Sequence, residues 1–336
     1  MSNLRALHIN GCRALTGLAA IAGLQRLTCL GLHHFHATPD AFAHLTASLT
    51  MLRSLSLRRA RGFSYVGAGM QNVGLMTALR VLSLDEAGDA DCENAAGVRA
   101  MAAVLCGQTQ LQELLLWGNP QHERIGDNSD YLSVADWGDL QSMSQLTRLT
   151  TSSAVSDSEL MSIALLPKLH TLEIRGGHHI TDASMRALER MPSLVNLDLL
   201  ECPNITDAGM QRFAARVPLL TFRLKGSCIT DKSIKAIAAW PHLRNLSIAR
   251  SSEMHDAGLA ALARCSSLKI LDIAGCRSVT DAGLGTLTAL RELRQLNLEG
   301  CSSVSNDSVE SFKKSLLAAG PADTGKPCLP CVVVFY

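Results

Sequence analysis

The sequence predicts an α/β solenoid in the form of a horseshoe, with a parallel sheet on the concave side and helices on the convex side. Three observations predict it. A phrase of the form Leu-x-x-Leu-x-Leu recurs along most of the 336 residues. The intervals between successive phrases cluster between 23 and 27 residues. In the second half, each phrase is followed by a short signal for the start of a helix. The composition agrees, because 47% hydrophobic residues can fill a long continuous core, which excludes wholesale disorder. A net charge of +1 excludes a chain built mainly to grip phosphate backbones, which needs a strongly basic face.

Taken in order, the phrases of the first half are Leu4/Leu7/Ile9, Leu27/Leu30/Leu32, Leu52/Leu55/Leu57, Leu79/Leu82/Leu84, Leu111/Leu114/Leu116 and a degenerate Leu146/Leu149/Thr151. Those of the second half are Leu169/Leu172/Ile174, Leu194/Leu197/Leu199, Leu219/Phe222/Leu224, Leu243/Leu246/Ile248, Leu268/Leu271/Ile273 and Leu293/Leu296/Leu298. The final Leu-x-Leu alternation buries two side chains on one face of a strand. A period in the range of about 20–29 residues is that of a leucine-rich repeat.

In the second half the helices are announced by Ile180-Thr181-Asp182, Ile205-Thr206-Asp207, Ile229-Thr230-Asp231 and Val279-Thr280-Asp281. Threonine caps a helix N-terminus and the following aspartate meets the positive end of its dipole. Apolar residues then recur at helical spacing, as in Met185/Leu188/Met191 and Met210/Phe213/Ala214/Val217. Pro167, Pro192, Pro218 and Pro241 end those helices before the next strand.

The segments Cys202-Pro-Asn-Ile-Thr-Asp-Ala-Gly-Met210 and Cys276-Arg-Ser-Val-Thr-Asp-Ala-Gly-Leu284, and more loosely Cys301-Ser-Ser-Val-Ser-Asn-Asp-Ser-Val309, resemble the cysteine-containing subclass of leucine-rich repeats. Its best-known members are the substrate-recognition arms of F-box adaptors in SCF-type ubiquitin ligases. The resemblance is specific from about Val155 to Val309. It implies that Cys12, Cys202, Cys276 and Cys301 are buried structural residues at the inner turn. Because the first strand phrase already begins at Leu4, no F-box is expected ahead of the repeats. A ligase role would therefore run through a separate subunit.

Residues 1–318 are expected to form about twelve repeats, with an insertion at 120–139. Residues 319–336 are expected to form a Gly/Pro-rich connector and a closing strand on Leu329/Val332/Val334. Nothing ahead of Leu4 reads as a polar cap, so a neighbouring protein or a second copy is expected to cover the first repeat. Of six Trp and Tyr residues, Trp117, Tyr131 and Trp137 fall within or beside the insertion. Insertions in repeat proteins often carry the binding face, although a Trp there also suits a plug in the core.

The concave surface should present the strand positions between and after the leucines. Its middle includes Glu113, Leu115, Trp117, Arg148, Thr150, Glu173, Arg175, Asp198, Leu200, Arg223 and Lys225. Twelve strands at ~4.8 Å give an arc of roughly 53 Å, suited to a folded partner and unlike a small-molecule pocket. Of these, Glu113, Leu115, Trp117, Arg148, Arg175, Leu200, Arg223 and Lys225, with Tyr131 and Trp137, are the expected partner-binding residues.

Other chemistry is thinly represented. His33, His34 and His36 near Cys29, and the pair His178-His179, read as structural or solvated histidines. Cys328 and Cys331 form a lone CxxC, and Arg58, Arg59 and Arg61 a small solvated spot. No phosphate loop, HExxH motif or nucleophile elbow occurs. No enzyme activity, cofactor or metal is expected, and neither nucleic acid nor membrane is an expected partner. Eleven scattered cysteines, no signal peptide and no membrane span suggest a cytoplasmic, reducing setting. The function predicted is a non-catalytic scaffold or structural subunit of a larger intracellular assembly. The alternative is a substrate-recognition component of an SCF-like ubiquitin ligase.

Overall fold

The structure, a computed structural model, describes residues 3–11, 18–60, 67–85, 103–105, 107–117, 137–151, 155–213, 217–318 and 333–335. The chain divides into two compact units, Met1–Arg175 and Gly176–Tyr336.

The first unit contains strands β1 (Ala6–Asn10), β2 (Cys29–His33), β3 (Ser54–Arg58), β4 (Val81–Asp85), β5 (Glu113–Trp117), β6 (Arg148–Thr151) and β7 (Thr171–Ile174). Between them lie α1 (Leu18–Ala22), α2 (Pro39–Ser48), α3 (Ala68–Gly74), a 3₁₀ turn (Trp137–Ser142) and α4 (Asp157–Ile163). Neighbouring strands are parallel and in strict register, so one column runs Leu7, Leu30, Leu55, Leu82, Leu114, Leu149, Leu172. From Leu30 to Leu172 these residues are at most 1% exposed. Removing one such side chain costs about 2–5 kcal/mol. Even the degenerate copy holds, because Thr151 pairs with Leu116 and Ile174 in register and is fully buried.

The second unit repeats the plan with α5 (Asp182–Leu188), β8 (Asn196–Leu200), α6 (Asp207–Phe213), β9 (Thr221–Lys225), α7 (Asp231–Ile237), β10 (Asn245–Ser247), α8 (Asp256–Leu262), β11 (Ile270–Asp272), α9 (Asp281–Thr286), β12 (Gln295–Asn297), α10 (Asn306–Ala318) and β13 (Val333–Phe335). Its buried column is Leu197, Phe222, Leu246, Leu271 and Leu296, and β13 pairs beside it with Val334 opposite Leu296. That pairing stands two residues later along the chain than the phrase spacing predicts. The helix and sheet layers meet in an aromatic cluster, in which Trp240 lies 5.1 Å from Phe222 and 5.6 Å from Phe213.

Among the described residues, the chain turns through the left-handed region just past nine of the strands. Gly11, Gly176, Gly226, Gly275 and Gly300 occupy that position, but so do His34, Arg59, Glu201 and Arg250. The conformation is kept at a cost of roughly 1–2 kcal/mol for a residue with a Cβ. It lets the turning N–H reach the next strand's end, as Glu201 does to the Lys225 carbonyl at 2.8 Å and Arg250 to that of Ala274 at 2.7 Å.

One residue further on lies the position at which the sequence predicts buried cysteines. Cys276 and Cys301 donate their thiols to the Ile248 and Ile273 carbonyls of the preceding repeat, each at 3.2 Å. Gly177 holds this position opposite Cys202, where an added Cβ would meet Sγ at 2.2 Å. Ser251 holds it in its repeat, 1% exposed, and its hydroxyl has no hydrogen-bond partner among the described residues.

Helix starts are tied from repeat to repeat. Thr181, Thr206, Thr230 and Thr280 each accept a hydrogen bond from the backbone N–H two residues on, at 3.2 Å, as caps do. The aspartates that follow them point away to the next repeat. Asp182 accepts from the Thr206 N–H and hydroxyl at 2.8 and 2.7 Å. Asp207 does the same with Thr230 at 2.9 and 2.7 Å, Asp256 with Thr280 at 2.8 and 2.6 Å, and Asp281 with Ser305 at 2.7 and 2.8 Å. Asp231 accepts from the His255 N–H at 2.9 Å. These carboxylates stand in the first turn of their own helices, as the sequence predicts, and in addition bond to the next repeat. The glycine of the Asp-Ala-Gly motif follows from this. A Cβ on Gly209 or Gly283 would lie 2.3 or 2.2 Å from the incoming Oδ1 of Asp182 or Asp256. Where Ser233 replaces it, the hydroxyl donates to Asp207 instead.

Burial works to raise the Asp207 carboxyl, but the hydrogen bonds from Ser233 and Thr230 outweigh it and hold the group below its ordinary range. The Ser305 N–H and hydroxyl hold Asp281 down likewise. A depressed carboxylate stabilises the fold above its unfolded pKa of about 3.9 and loses that contribution as pH falls through the folded value. Thermal melts should therefore fall progressively below about pH 4 as these carboxylates take up protons. Asp207→Asn, which sets an amide NH2 against a site that receives four donors, should cost about 1–3 kcal/mol by chemical denaturation at pH 7. Unchanged stability would dismiss the tie. Ser251→Cys, which removes a buried orphan hydroxyl, should raise stability by about 1–2 kcal/mol in the same assay.

Candidate protein-interaction face

Alternate strand residues turn away from the leucine columns and form an open sheet face in each unit. In the first unit, register places Ser83, Leu115, Thr150 and Glu173 side by side. Two strand positions earlier, on the same face, it places Val81, Glu113, Arg148 and Thr171 together. Glu173 lies between two arginines, with its Oε1 3.1 Å from Arg175 and its Oε2 4.0 Å from Arg148. Both arginines are 44% exposed while Glu173 is 13% exposed. Arg58 meets Asp85 on the next strand at 2.8 Å. Exposed pairs of this kind contribute at most about 1 kcal/mol each. Their effect is to hold long side chains in fixed positions on a rigid sheet.

In the second unit Arg223, 57% exposed, faces Asp198 directly in register at 3.4 Å. Ser247 donates to Asp272 at 2.8 Å, and Leu200 stands beside Lys225. Across one row the face therefore reads Asp198, Arg223, Ser247, Asp272, Asn297.

The expected residues divide accordingly. Glu113, Leu115 and Arg148 lie on the open face of the first unit, with Arg175 just past β7, and Leu200, Arg223 and Lys225 lie on that of the second. Trp117 ends β5 opposite Asp85 and Trp137 opens the 3₁₀ turn, but neither side chain is among those described. Tyr131, most of the insertion, Cys12, Cys328 and Cys331 lie outside the described residues. Two expectations need correction. Leu115 and Leu200, read as exposed, are half-buried, and Thr150, read as surface, is fully buried. A short threonine between Leu115 and Glu173 is shielded by longer neighbours on both strands. Sequence reading missed Ile270, which precedes the buried leucine of β11 on the open face and is 36% exposed. The signal was present, since Lys269-Ile270-Leu271 puts an isoleucine at a position otherwise mostly polar in this unit.

Four of the described thiols, those of Cys202, Cys265, Cys276 and Cys301, are buried. Burial pushes Cys202 and Cys276 up to about 12 and Cys265 up to about 11. Cys301 is raised too, again mainly by burial. Cys29 Sγ lies 3.6 Å from His8 Nε2. His33 is lowered by burial and then by Arg58. Among the described residues no three His, Cys, Asp or Glu side chains are arranged to hold a metal ion. No described helix is long and apolar enough to cross a membrane.

Comparison with known proteins is consistent with this architecture. A family profile described as a leucine-rich repeat region matches residues 1–222, and a second leucine-rich repeat profile matches residues 264–287. No curated protein sequence matches the chain. Among solved structures, an internalin (inlF) from Listeria monocytogenes str. 4b F2365 is similar with a TM-score of 0.59 at 18% identity, covering 97% of this chain and 88% of that one. A chain of the Rad7 and Elc1 complex from yeast is similar with a TM-score of 0.62 at 15% identity, covering 97% and 80%.

The thiol environments give a direct check. At pH 8 in the native protein, a thiol-reactive probe should label exposed Cys228 within minutes and leave Cys202 and Cys276 unmodified until denaturant is added. Rapid native labelling of Cys202 or Cys276, read by peptide mass spectrometry, would contradict their assignment as buried structural residues.

Proposed function

The chain belongs to the leucine-rich repeat family, and from that premise we propose that it is a non-catalytic protein-interaction scaffold or a structural subunit of a larger assembly. Leucine-rich repeat domains typically bind proteins. The observation that carries the reading for this chain is the open face of the first unit. There Arg148 and Arg175 are braced by Glu173 beside half-buried Leu115. Braced arginines and large apolar side chains on a rigid surface lose little entropy on binding, and Trp and Arg dominate interface energetics. Glu113, Trp117, Tyr131 and Trp137 extend this candidate surface. Leu200, Arg223 and Lys225 are the candidates of the second unit. Thiols raised by burial are poor nucleophiles, which supports a binding role over a catalytic one.

A protein neighbour, or a second copy, is proposed to cover the first repeat. Leu4 is 37% exposed and Leu7 and Ile9 are half-buried, whereas Leu30 and Leu32 of the adjacent strand are 1% and 0% exposed. The unpaired thiols among the described residues support a reducing, cytoplasmic setting. The second reading is a substrate-recognition component of an SCF-like ubiquitin ligase acting through a separate subunit. It is favoured by the buried Cys276 and Cys301, which sit where the F-box adaptor repeats carry theirs.

The test is gentle purification of the tagged protein with crosslinking and mass spectrometry, repeated with Trp117→Ala, Arg148→Ala and Arg175→Ala. A fixed-ratio complex weakened by about 2 kcal/mol or more, roughly thirtyfold, by at least one substitution is the expected outcome. Ligase subunits with a substoichiometric client would select the second reading. A solitary monomer would remove both.

A further inference from the structure

Three consecutive repeats of the second unit carry a cation at one and the same position. Arg244, Lys269 and Arg294 each immediately precede the first residue of their strand, and those residues pair as Asn245, Ile270 and Gln295. Successive backbones in the row are therefore ~4.8 Å apart. The row is fixed from beneath. The Arg244 carbonyl accepts the N–H groups of Lys269 and Ile270 at 2.7 and 3.0 Å, and the Lys269 carbonyl accepts those of Arg294 and Gln295 at 2.7 and 3.1 Å. Arg244 and Arg294 are exposed and Lys269 is half-buried. Among the described residues, none of the three has an acidic partner within ion-pair distance.

The surroundings do not neutralise the row. The segments leading into these strands, 239–244, 264–269 and 289–294, add His242, Arg264 and Arg291 and contain a single acid, Glu292. Earlier strands of the same unit hold Val195 and Leu220 at this position, so the repeat does not require a cation there. On the open face nearby, by contrast, Arg223 is matched by Asp198. Like charges on adjacent strands repel, and in a chain of net charge +1 such a row calls for an anion from outside. Ile270 stands next to the row, flanked by Asn245 and Gln295, and is 36% exposed.

We propose that this edge binds an acidic helical segment of a partner protein, its carboxylates meeting Arg244, Lys269 and Arg294 and an apolar side chain resting on Ile270. The inference deepens the protein-binding reading by naming the chemistry of one partner. The geometry is matched, because one helical turn advances about 5.4 Å, close to one step of the row. Acidic residues one turn apart on a helix face would each find a cation. A single-stranded nucleic acid would also need exposed rings on which to stack its bases. The aromatic residue of these lead-in segments, Trp240, is 4% exposed and packed against Phe222.

The experiment uses the full chain and fluorescence anisotropy with three labelled probes: a helical peptide bearing Glu one turn apart with a neighbouring Leu, the same peptide with Lys for Glu, and an oligothymidylate of similar length. At low salt only the acidic peptide should bind. The combined Arg244→Gln, Lys269→Gln and Arg294→Gln variant should weaken it by about tenfold or more, with circular dichroism confirming the fold. Binding should weaken as salt rises, and Ile270→Ser should weaken it a further few-fold at every salt concentration. Equal binding by the triple variant, or no binding by the wild-type chain, overturns the proposal. So does oligothymidylate binding as tight as the peptide's and indifferent to Ile270→Ser, which would assign the row to a phosphate backbone. Peptide binding should be untouched by Arg148→Ala. A cellular complex sensitive to Arg148 but indifferent to the triple variant would leave the open-face reading standing and remove this one.

Discussion

The second unit depends on a carboxylate that serves the repeat after its own. Each helix-start aspartate from Asp182 to Asp281 reaches forward to the next repeat, and in most cases takes both a backbone N–H and a hydroxyl there. The bond is directional and charge-assisted, so it fixes distance and orientation where apolar packing alone fixes only proximity. Two residues of the motif exist to serve it. Threonine supplies the donor while capping its own helix, and glycine keeps the approach clear or serine adds a further donor to it. Stacked leucines supply most of the free energy, and the clamp sets how the helix layer is registered against the sheet.

The same economy appears on the sheet side. A strand can pair in parallel with its neighbours only if each repeat turns sharply at the same place. The left-handed residue makes that turn while its N–H continues the ladder. Four of these positions carry a Cβ, so the turn is imposed by the fold and tolerated by the residue. With the columns and turns fixed, the strand positions that face outward carry almost no structural duty. They are free to differ, and their differences hold what is specific to this chain.

Sequence reading recovered the repetitive part for that reason. Leu-x-Leu alternation and Thr-Asp at a helix start are local signals repeated many times, and the columns from Leu30 to Leu172 and from Leu197 to Leu296 follow from them. It failed where an effect depends on a neighbour a full repeat away. The target of Asp207, some two dozen residues along the chain in Thr230 and Ser233, leaves no trace in the aspartate's own surroundings. Thr150 reads as surface by alternation, but its burial depends on the lengths of the side chains on two other strands. Arg148 and Arg175 were legible as outward cations, while Glu173 as their shared brace required the register. Strand spacing also announced a last strand but not its register, which stands two residues later along the chain.

Function in such an array has to be sought where a column departs from what the stack requires. The leucine columns are uniform because the core demands it, and they say nothing of partners. Ser251 departs from the cysteine position, but inward, where it costs a hydrogen bond and meets no partner. Arg244, Lys269 and Arg294 depart outward. They set three like charges side by side where the two preceding strands hold Val195 and Leu220, a position that in the first unit carries Arg5, Arg53 and Arg80 among other polar residues. A substitution that lowers stability without serving the core is the kind a binding surface accounts for. The open-face pairs Arg58–Asp85 and Arg223–Asp198 satisfy themselves and need no partner to balance them. The cation row, lacking any such match among the described residues, leaves its balance to a molecule that brings the opposite charge.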